Sequence, residues 1–238
     1  MRFLSALKPA QFVRRENRFA ATVRIGRRSV YVHVPNSGRM HELLTEGAPV
    51  LLTRATGEGR ATQYDLTLVR FRGRWVGVDS RMPPRLLAEA VDNGRIGTLA
   101  GWRVHSSEPA FGSGRLDLVL AREGGLLMVE TKSVNYVENG VARFPDAPSL
   151  RGARHLIEMA EASRAGGAFE VWFVVQRSDA RVVRPFTERD PEFAAALAEA
   201  WAAGVGVRAC RCRVGATRIE IMDEVPVEVG GKSPSAGL

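Results

Sequence analysis

The stretch from Leu116 to Val134, LDLVLAREGGLLMVETKSV, contains two apolar runs separated by the turn residues REGG. Two β-like runs around a short glycine-containing turn predict a hairpin. Residues two apart in a strand project to the same side, so Glu130 and Lys132 share a face while Thr131 points away. A register that brings Asp117 beside Glu130 would give the hairpin two carboxylates and an ammonium in one cluster.

Two neighbouring carboxylates repel each other, and a hard divalent cation removes that conflict. Mg²⁺ is typically held by one or two carboxylates together with water and a substrate phosphate, an arrangement suited to phosphodiester hydrolysis. The alternative is a plain salt bridge between Glu130 and Lys132. The composition favours the functional interpretation, because only three of the thirty-four basic residues are lysines. A lysine in a chain that otherwise uses arginine suggests a role that a planar guanidinium would fill badly.

The chain has 238 residues, 45% of them hydrophobic, which is enough for one large domain or two small ones. No window approaches the roughly 20 apolar residues of a membrane span, and the N-terminus lacks the apolar run of a secretory signal. We therefore expect a cytoplasmic protein without a membrane partner. Cys210 and Cys212 lie on one face of a predicted strand, too close for an ordinary disulfide and too few for a structural zinc site, so we expect reduced thiols.

The positive charge is concentrated at one end of the chain. The net charge is +8, and residues 1–80 hold fourteen basic and six acidic residues, whereas residues 81–238 hold twenty of each. A basic excess of this kind indicates a polyanionic partner such as nucleic acid. The first third of the chain is the predicted electrostatic footprint, with its arginines between residues 14 and 39 as the main contributors.

Two regions with different patterns follow one another along the chain. From Gln11 to Val78 about five short β-like runs alternate with turn residues, which is typical of a small closed barrel such as an OB-fold, with an SH3-like barrel as the alternative. Beyond Asp79 strands alternate with helices, which predicts an α/β layer with helices covering a mixed sheet. We therefore expect an OB-fold-like nucleic-acid-binding domain over residues 1–80, an α/β domain over 81–225 and a disordered tail over 226–238.

The second region contains three helix patterns and six strand patterns. The helices are predicted over 81–94, over 149–167 and from Asp190 onward, where a capping aspartate precedes a proline. The strands are predicted over 102–106, 114–121, 126–134, 168–177, 207–214 and 218–222.

A turn-rich loop from Pro35 to Met40 follows the second strand of an N-terminal hairpin. Asn36 and Gly38 tolerate positive φ, and Arg39 follows at the tip, so the loop could present N–H groups and a guanidinium to a phosphate. An ordinary tight loop with a solvated arginine is the alternative.

Nearly the whole chain, up to about residue 222, resembles the sugar fermentation stimulation protein A family of bacteria and archaea. The stretches that carry the resemblance are RFAATV, VHVPNSGRM, WVGVDS, LLAEAVDNGRI, GRLDLVL, VETKSV, ARFPDAPSLRGARHL, FVVQRSD and DPEFAAAL. The resemblance implies an N-terminal OB-fold followed by a domain of the PD-(D/E)xK nuclease class. It also implies DNA binding and a link to the regulation of maltose and other sugar metabolism. The chain departs from the common family pattern at ETKSVN, where members often read EVKNVT, and at Val34, where many have cysteine.

The resemblance implies a set of site residues. Asp117, Glu130 and Lys132 would form the nuclease-type core, with Glu89 of the first helix as a further acid and metal ligand beside Asp117 and Glu130. Gln176 resembles the glutamine that positions a water or a phosphate in such sites. A solvated glutamate and a polar strand terminus are the alternatives for Glu89 and Gln176. The expected nucleic-acid-binding residues are Arg14, Arg15, Arg18, Asn36, Ser37, Arg39, Arg151, Arg154 and His155, with Phe19 and Tyr31 as exposed aromatics.

These features together predict a nucleic-acid-binding protein, with DNA as the favoured partner, that carries a Mg²⁺- or Mn²⁺-dependent nuclease site. The alternative is a non-catalytic DNA-binding transcriptional regulator that retains a nuclease fold. A sugar-metabolising enzyme finds no support, because no glycine-rich phosphate loop or nucleotide fingerprint is evident. The sequence leaves the oligomeric state open, with a homodimer among the options.

Overall fold

A six-stranded barrel forms the N-terminal part of the protein, in a computed structural model that describes residues 1–56 and 59–230. Its strands are β1 (Lys8–Asn17), β2 (Ala20–Ile25), β3 (Arg28–His33), β4 (Pro49–Arg54), β5 (Tyr64–Phe71) and β6 (Arg74–Gly77). They pair in the order β3-β2-β1-β4-β5-β6, and a parallel contact between β3 and β5 at His33 and Asp65 closes the barrel. A small closed barrel in which β1 pairs with β4, and not β3 with β4, is the predicted OB-type architecture.

The barrel has one more strand than the sequence pattern indicated. Strand β1 is mostly exposed and buries only Phe12, so it shows no apolar alternation that could mark it. Its long backbone pairs with both β2 and β4, which makes it the connection between the two halves of the barrel. The interior is filled by aliphatic residues such as Val23, Leu52 and Leu66, all fully buried.

The rest of the described chain forms an α/β domain. Its helices are α1 (Met82–Asp92), α2 (Leu150–Arg164) and α3 (Pro191–Ala202), with a 3₁₀ turn at Gly97–Leu99. Its strands are β7 (Arg103–Ser107), β8 (Ala110–Phe111), β9 (Gly114–Arg115), β10 (Leu118–Arg122), β11 (Gly125–Val134), β12 (Val137–Glu138), β13 (Val141–Phe144), β14 (Phe169–Val175), β15 (Val182–Pro185), β16 (Gly206–Val214) and β17 (Ile219–Glu224).

A mixed central sheet organises this domain, as predicted. The strand order is β17-β16-β14-β11-β10-β7, with parallel pairing of β14 to both β11 and β16 and antiparallel pairing elsewhere. Alternate residues of β14 point to opposite faces. Trp172 packs with the α1 layer, whereas Val171 and Phe173 pack with α2 and α3. The helices therefore cover both faces of the sheet.

Each helix begins with a recognisable signal; the prolines of α1 and the Asp190 cap of α3 were predicted, whereas the Ser149 cap of α2 was not. Prolines open α1, the Ser149 side chain accepts a hydrogen bond from Gly152 N at the start of α2, and Asp190 caps α3 by accepting from Phe193 N. The sequence patterns missed the small sheet β12-β13-β15 and the hairpin β8-β9. Those strands have two to four residues each, too short for a periodic pattern to be recognised.

The two domains contact each other along several short segments. Gly77 N donates to Gln176 O at 2.8 Å, and Met40 N donates to Asp146 Oδ2 at 2.6 Å. A Cβ at Gly77 would lie 2.5 Å from Gln176 Oε1, so only glycine permits this approach of the two backbones. These bonds hold the barrel against the edge of the α/β domain.

The predicted disordered tail is wrong for residues 226–230. Val227 and Val229 are buried, Glu228 N donates to Val183 O at 2.9 Å, and Glu228 accepts a hydrogen bond from Arg184 Nε at 2.7 Å. The segment packs because its valines alternate, a period-2 signal that the sequence does contain. Residues 231–238, the remainder of that prediction, lie outside the described residues. Within the described ranges, no helix is both long and apolar enough to cross a membrane.

Both cysteines are free thiols, as expected. Cys210 and Cys212 are fully buried on one face of β16, and burial raises the pKa of each thiol. We expect neither to react with a thiol reagent such as DTNB in the native protein, and both to react after unfolding in guanidinium, because only the thiolate is nucleophilic. The absorbance of the released thiolate gives the count. Rapid reaction of either cysteine in the folded protein would contradict this placement.

Candidate active site

The predicted hairpin is formed by β10 and β11, and its register, which the sequence left open, pairs the two acids. Leu118 lies opposite Val129, which places Asp117 opposite Glu130, and Asp117 N donates to Val129 O at 3.2 Å. Asp117 sits in a bend just before β10, so its carboxylate is turned toward the next residue of the partner strand. The structure thus places Asp117 opposite Glu130 of β11.

Thr131 holds the Asp117 carboxylate in place. Asp117 Oδ2 accepts hydrogen bonds from Thr131 N at 2.7 Å and from Thr131 Oγ1 at 2.5 Å. The sequence predicted that Thr131 points away from the face of Glu130 and Lys132, and it did not anticipate that the bend at Asp117 lets the aspartate reach the threonine. Oδ1 has no hydrogen bond to any residue in the described ranges, which leaves it available for a ligand.

Glu130 is buried and receives two hydrogen bonds on one oxygen. Lys132 Nζ donates to Glu130 Oε1 at 2.7 Å, and His155 Nδ1 lies 3.0 Å from the same oxygen. The other oxygen, Oε2, is buried and has no hydrogen-bond partner among the described residues. A buried carboxylate oxygen without a partner is costly, so this atom is the clearest sign of a missing ligand.

His155 contacts the cluster from α2. Its Nε2 is buried and has no partner in the described part of the chain, so the ring proton is best assigned to Nδ1, where it can donate to Glu130. The sequence indicated His155 as a nucleic-acid contact, but its side chain is only 2% exposed. It fixes the glutamate instead of meeting solvent.

The surroundings shift the two carboxylates in opposite directions. Burial and the neighbouring Glu130 charge raise the pKa of Asp117 above its ordinary value. Burial also acts to raise the pKa of Glu130, but hydrogen bonding from His155 and the charge of Lys132 outweigh it and hold that pKa below its ordinary value. Glu130 therefore stays ionised, and the repulsion between the two like charges contributes to the raised pKa of Asp117.

The arrangement suits a hard divalent cation. Glu130 Oε2 and Asp117 Oδ1 are two carboxylate oxygens without hydrogen-bond partners in the described part of the chain, on residues that face each other across the hairpin. No group of three or more His, Cys, Asp or Glu side chains in residues 1–56 and 59–230 is placed to hold a metal ion. Two protein carboxylates match Mg²⁺, which usually keeps several waters and takes a substrate phosphate.

Glu89 does not join this cluster. It lies on the flank of α1, its side chain is 43% exposed, and its carboxylate forms an ion pair with the amino group of Met1. The buried residues of α1 include Leu86, Leu87 and Ala90, so Glu89 points away from the layer that packs on the sheet. The described structure thus provides two of the three predicted acids at one place.

Gln176 is fully buried behind the cluster. Its Nε2 donates to Asp79 O and to Ser133 Oγ, both at 2.8 Å, while Oε1 has no hydrogen-bond partner among the described residues. Ser133 and Lys132 project to opposite sides of β11, so Gln176 approaches the strand from the other face. Its amide nitrogen joins the two domains and is not free to hold a water or a phosphate.

Two residues predicted to bind nucleic acid shape a loop instead. Asn36 is buried, donates to Val78 O at 2.9 Å and accepts from Gly38 N at 2.8 Å. The Arg15 guanidinium donates to the carbonyl oxygens of Arg18, Asn36, Gly38 and Arg39 at 2.5–2.9 Å. Their polar groups are therefore occupied by the backbone of the loop.

The other predicted basic residues lie at the surface. The Arg18 guanidinium stacks 5.6 Å from the centre of the Phe19 ring, and Arg39 and Arg151 are without a side-chain partner among the described residues. Arg14 pairs with Glu16 at 2.9 Å, and Arg154 lies 3.9 Å from Glu158. Arg18 and Arg151 face a common opening between the domains.

That opening is a cleft of about 760 Å³ between the barrel and the α/β domain, here called the interdomain cleft. Its lining includes Arg18, Phe19, His33, Asn36, Ser37, Gly38, Arg81, Thr131, Lys132, Ser133, Arg143, Asp146 and Arg151. The sequence reasoning did not select Thr131, Arg81 or Arg143 for the site. The only available signal for Arg143 was the basic segment that precedes α2, and none distinguished Arg81 from the other arginines.

Comparison with known proteins gives consistent matches along the chain. The model described as the SfsA N-terminal OB domain matches residues 13–78, and the model described as the sugar fermentation stimulation protein RE domain matches residues 81–218. A sugar fermentation stimulation protein homolog from Alkaliphilus metalliredigens is 43% identical over 218 residues, covering 91% of this chain and 94% of the relative. A homolog from Acetivibrio thermocellus is 40% identical over 230 residues, covering 95% and 99%.

A solved structure of Pyrococcus furiosus SfsA in complex with Ca²⁺ has the same architecture. It superposes with a TM-score of 0.90 at 31% sequence identity, covering 96% of this chain and 98% of that one. The predicted fold class, an OB-type barrel followed by an α/β domain with a mixed sheet, is confirmed by these matches.

The like charges at Asp117 and Glu130 predict opposite effects of two substitutions on the metal-free protein. Asp117→Asn keeps an acceptor for Thr131 and removes the repulsion, so the free energy of unfolding should rise by on the order of 1 kcal/mol. Lys132→Met removes a cation from a buried ion pair, so the free energy of unfolding should fall by about 3 kcal/mol. Urea unfolding in EDTA at neutral pH measures both. An Asp117→Asn protein less stable than the wild type would contradict the account of this site.

Proposed function

The chain belongs to the sugar fermentation stimulation protein family, and from this premise we propose that it binds nucleic acid and hydrolyses phosphodiester bonds at Asp117, Glu130 and Lys132. The observation that carries the proposal is Glu130 Oε2, a buried and unpartnered carboxylate oxygen on a residue opposite Asp117. A structural salt bridge would satisfy both oxygens of the glutamate. One oxygen held by Lys132 and His155, and one left open, is instead the pattern of a ligand site.

Asp117 and Glu130 are the residues that would hold a divalent ion. When bound, Mg²⁺ or Mn²⁺ makes coordinated water more acidic and offsets the negative charge of a phosphate. The Ca²⁺ in the Pyrococcus furiosus relative supports a divalent ion for this chain as well. The raised pKa of Asp117 agrees with this proposal, since a cation would remove the repulsion that raises it.

Lys132 provides the positive charge that acts on the phosphate. Among the described residues its ammonium forms one hydrogen bond, to Glu130 Oε1, and an ammonium has three donors. Lys132 also lines the interdomain cleft, so its remaining donors can contact a phosphate oxygen there. A fixed cation that faces developing negative charge stabilises the transition state, because it needs no reorganisation during the reaction.

His155 acts on the reaction only through Glu130. Its Nδ1–H and Lys132 Nζ both bond Oε1, which fixes the rotation of the carboxylate and directs Oε2 away from them. His155 is therefore a positioning residue in this proposal. Glu89 and Gln176 have no part in it, because the Glu89 carboxylate pairs with Met1 and the Gln176 amide nitrogen is bonded to Asp79 and Ser133.

Nucleic acid, with DNA favoured, is the proposed partner. The supporting features are the OB-type barrel, the basic excess of residues 1–80, and the exposed arginines Arg18, Arg39 and Arg151 near the cleft. The names of the relatives refer to sugar fermentation, and a nucleic-acid enzyme or regulator could influence that process indirectly. The competing function is a DNA-binding regulator whose site no longer cleaves.

Metal binding should depend on both carboxylates. Titration of the wild-type protein with Mn²⁺ in a calorimeter should give one site, and Asp117→Asn should weaken it by at least about tenfold, because one charged oxygen ligand is lost. Glu89→Gln is the matched control, since Glu89 lies outside the cluster, and should leave the affinity unchanged. An equal loss of Mn²⁺ affinity in the Glu89→Gln protein would mean that the ion binds elsewhere.

Cleavage should require the same residues. With Mg²⁺ or Mn²⁺ present, the wild-type protein should cut DNA or RNA oligonucleotides, and Asp117→Asn and Lys132→Met should each reduce the rate by roughly 100-fold or more. Gel electrophoresis of labelled strands measures the rate, and circular dichroism confirms that the variants are folded at the assay temperature. Intact binding with no cleavage of single-stranded or double-stranded substrates would favour the regulator.

A further inference from the structure

We propose that the interdomain cleft binds a single strand of nucleic acid, with one base stacked on Phe19 and its phosphates between Arg18 on the barrel and Arg151 on α2, and that a duplex does not enter it. This inference rests on the proposed function and specifies the form of the substrate. The barrel and the α/β domain would act as the two walls of one binding site.

The cleft has the charge that a polyanion requires. Five arginine and lysine residues line it, against one carboxylate, that of Asp146. The Asp146 carboxylate is already neutralised by an ion pair with Arg189 and a hydrogen bond from Met40 N. Arg18 and Arg151 come from opposite walls, and neither guanidinium has an acidic partner among the described residues. This placement allows the two guanidinium groups to contact successive phosphates of a bound strand from both sides.

Phe19 provides a surface for a base. Its side chain is 48% exposed although it lines a cleft, and Arg18 stacks on its ring at 5.6 Å. An exposed aromatic beside a cation is the usual platform for an unpaired base, because every base has a face that can stack. A paired base in a duplex is already stacked on its neighbours and does not present that face.

The walls of the cleft cannot move apart easily. Met40 N of the barrel donates to Asp146 Oδ2, Gly77 N of the barrel donates to Gln176 O at 2.8 Å, and Asn135 Nδ2 lies 3.4 Å from Met40 Sδ. These buried contacts would all be lost if the domains separated. A substrate therefore enters a cleft whose two walls are spaced as they are in the structure.

The volume of the cleft favours a single strand. The cleft volume of about 760 Å³ lies within the range of roughly 300–1,000 Å³ that is typical of pockets for small ligands. This volume holds a few nucleotide units of one strand but not the two strands of a duplex. The cleft also leads to the candidate active site, because Lys132 and Thr131 form part of its lining. A strand bound there places a phosphate next to the Lys132 ammonium.

The test measures binding without metal, so that cleavage has no influence on it. A short fluorescein-labelled DNA strand and the same strand annealed to its complement are titrated with the full chain in EDTA, and anisotropy is recorded. The single strand should bind at least about tenfold more tightly than the duplex, and Phe19→Ala and Arg151→Glu should each weaken its binding about tenfold. An RNA strand of the same sequence shows which backbone the cleft prefers.

Two surface variants serve as matched controls. Leu126 is 53% exposed on β11 and Arg164 is the last residue of α2, and neither lines the cleft. Leu126→Ala and Arg164→Glu should change the affinity by less than about twofold, since neither contacts the bound strand. Equal or tighter binding of the duplex, absence of binding, or an equal loss in the control variants would overturn the proposal. A failure to cleave with metal would overturn the proposed hydrolysis and leave this result unchanged.

Discussion

Two carboxylates held opposite each other at the end of one hairpin are the constraint on which the rest of this structure depends. Asp117 and Glu130 are of like charge and partly or fully buried, which is unfavourable without compensation. Among the described residues, hydrogen bonds stabilise one oxygen of each carboxylate: Lys132 and His155 bond Glu130 Oε1, and Thr131 bonds Asp117 Oδ2. The two remaining oxygens define the place of a ligand.

The two domains act together because the contacts between them are short and buried. Gly77 lies against Gln176, Met40 donates to Asp146, and the Gln176 amide reaches from the domain boundary at Asp79 to Ser133 beside Lys132. The barrel is therefore positioned relative to β11 by the residues that flank that strand. An interdomain cleft lined by Lys132 is the consequence, and in the proposed function it connects a strand bound at the barrel to the carboxylates of the hairpin.

Local signals predicted most of the fold and the centre of the site. The hairpin that carries Asp117 and Glu130 and the cap at Asp190 follow from spacing and residue type alone, whereas the hairpin register came only from the structure. The contact between His155 and Glu130 could not be predicted, because it depends on how α2 packs on the sheet. The roles of Arg15 and Asn36 were misjudged for the same reason: the sequence shows a basic, turn-rich loop, and only the tertiary structure shows that its own carbonyl groups occupy them.

The central claim is that Asp117 and Glu130 jointly hold a divalent cation, and diffraction from a crystal soaked in Mn²⁺ tests it most directly. The account predicts an anomalous difference peak between the two carboxylates, within bonding distance of Glu130 Oε2 and of Asp117 Oδ1, with Lys132 and His155 still bonded to Oε1. Absence of a peak there under saturating Mn²⁺, with Glu130 Oε2 hydrogen-bonded to protein instead, would contradict it.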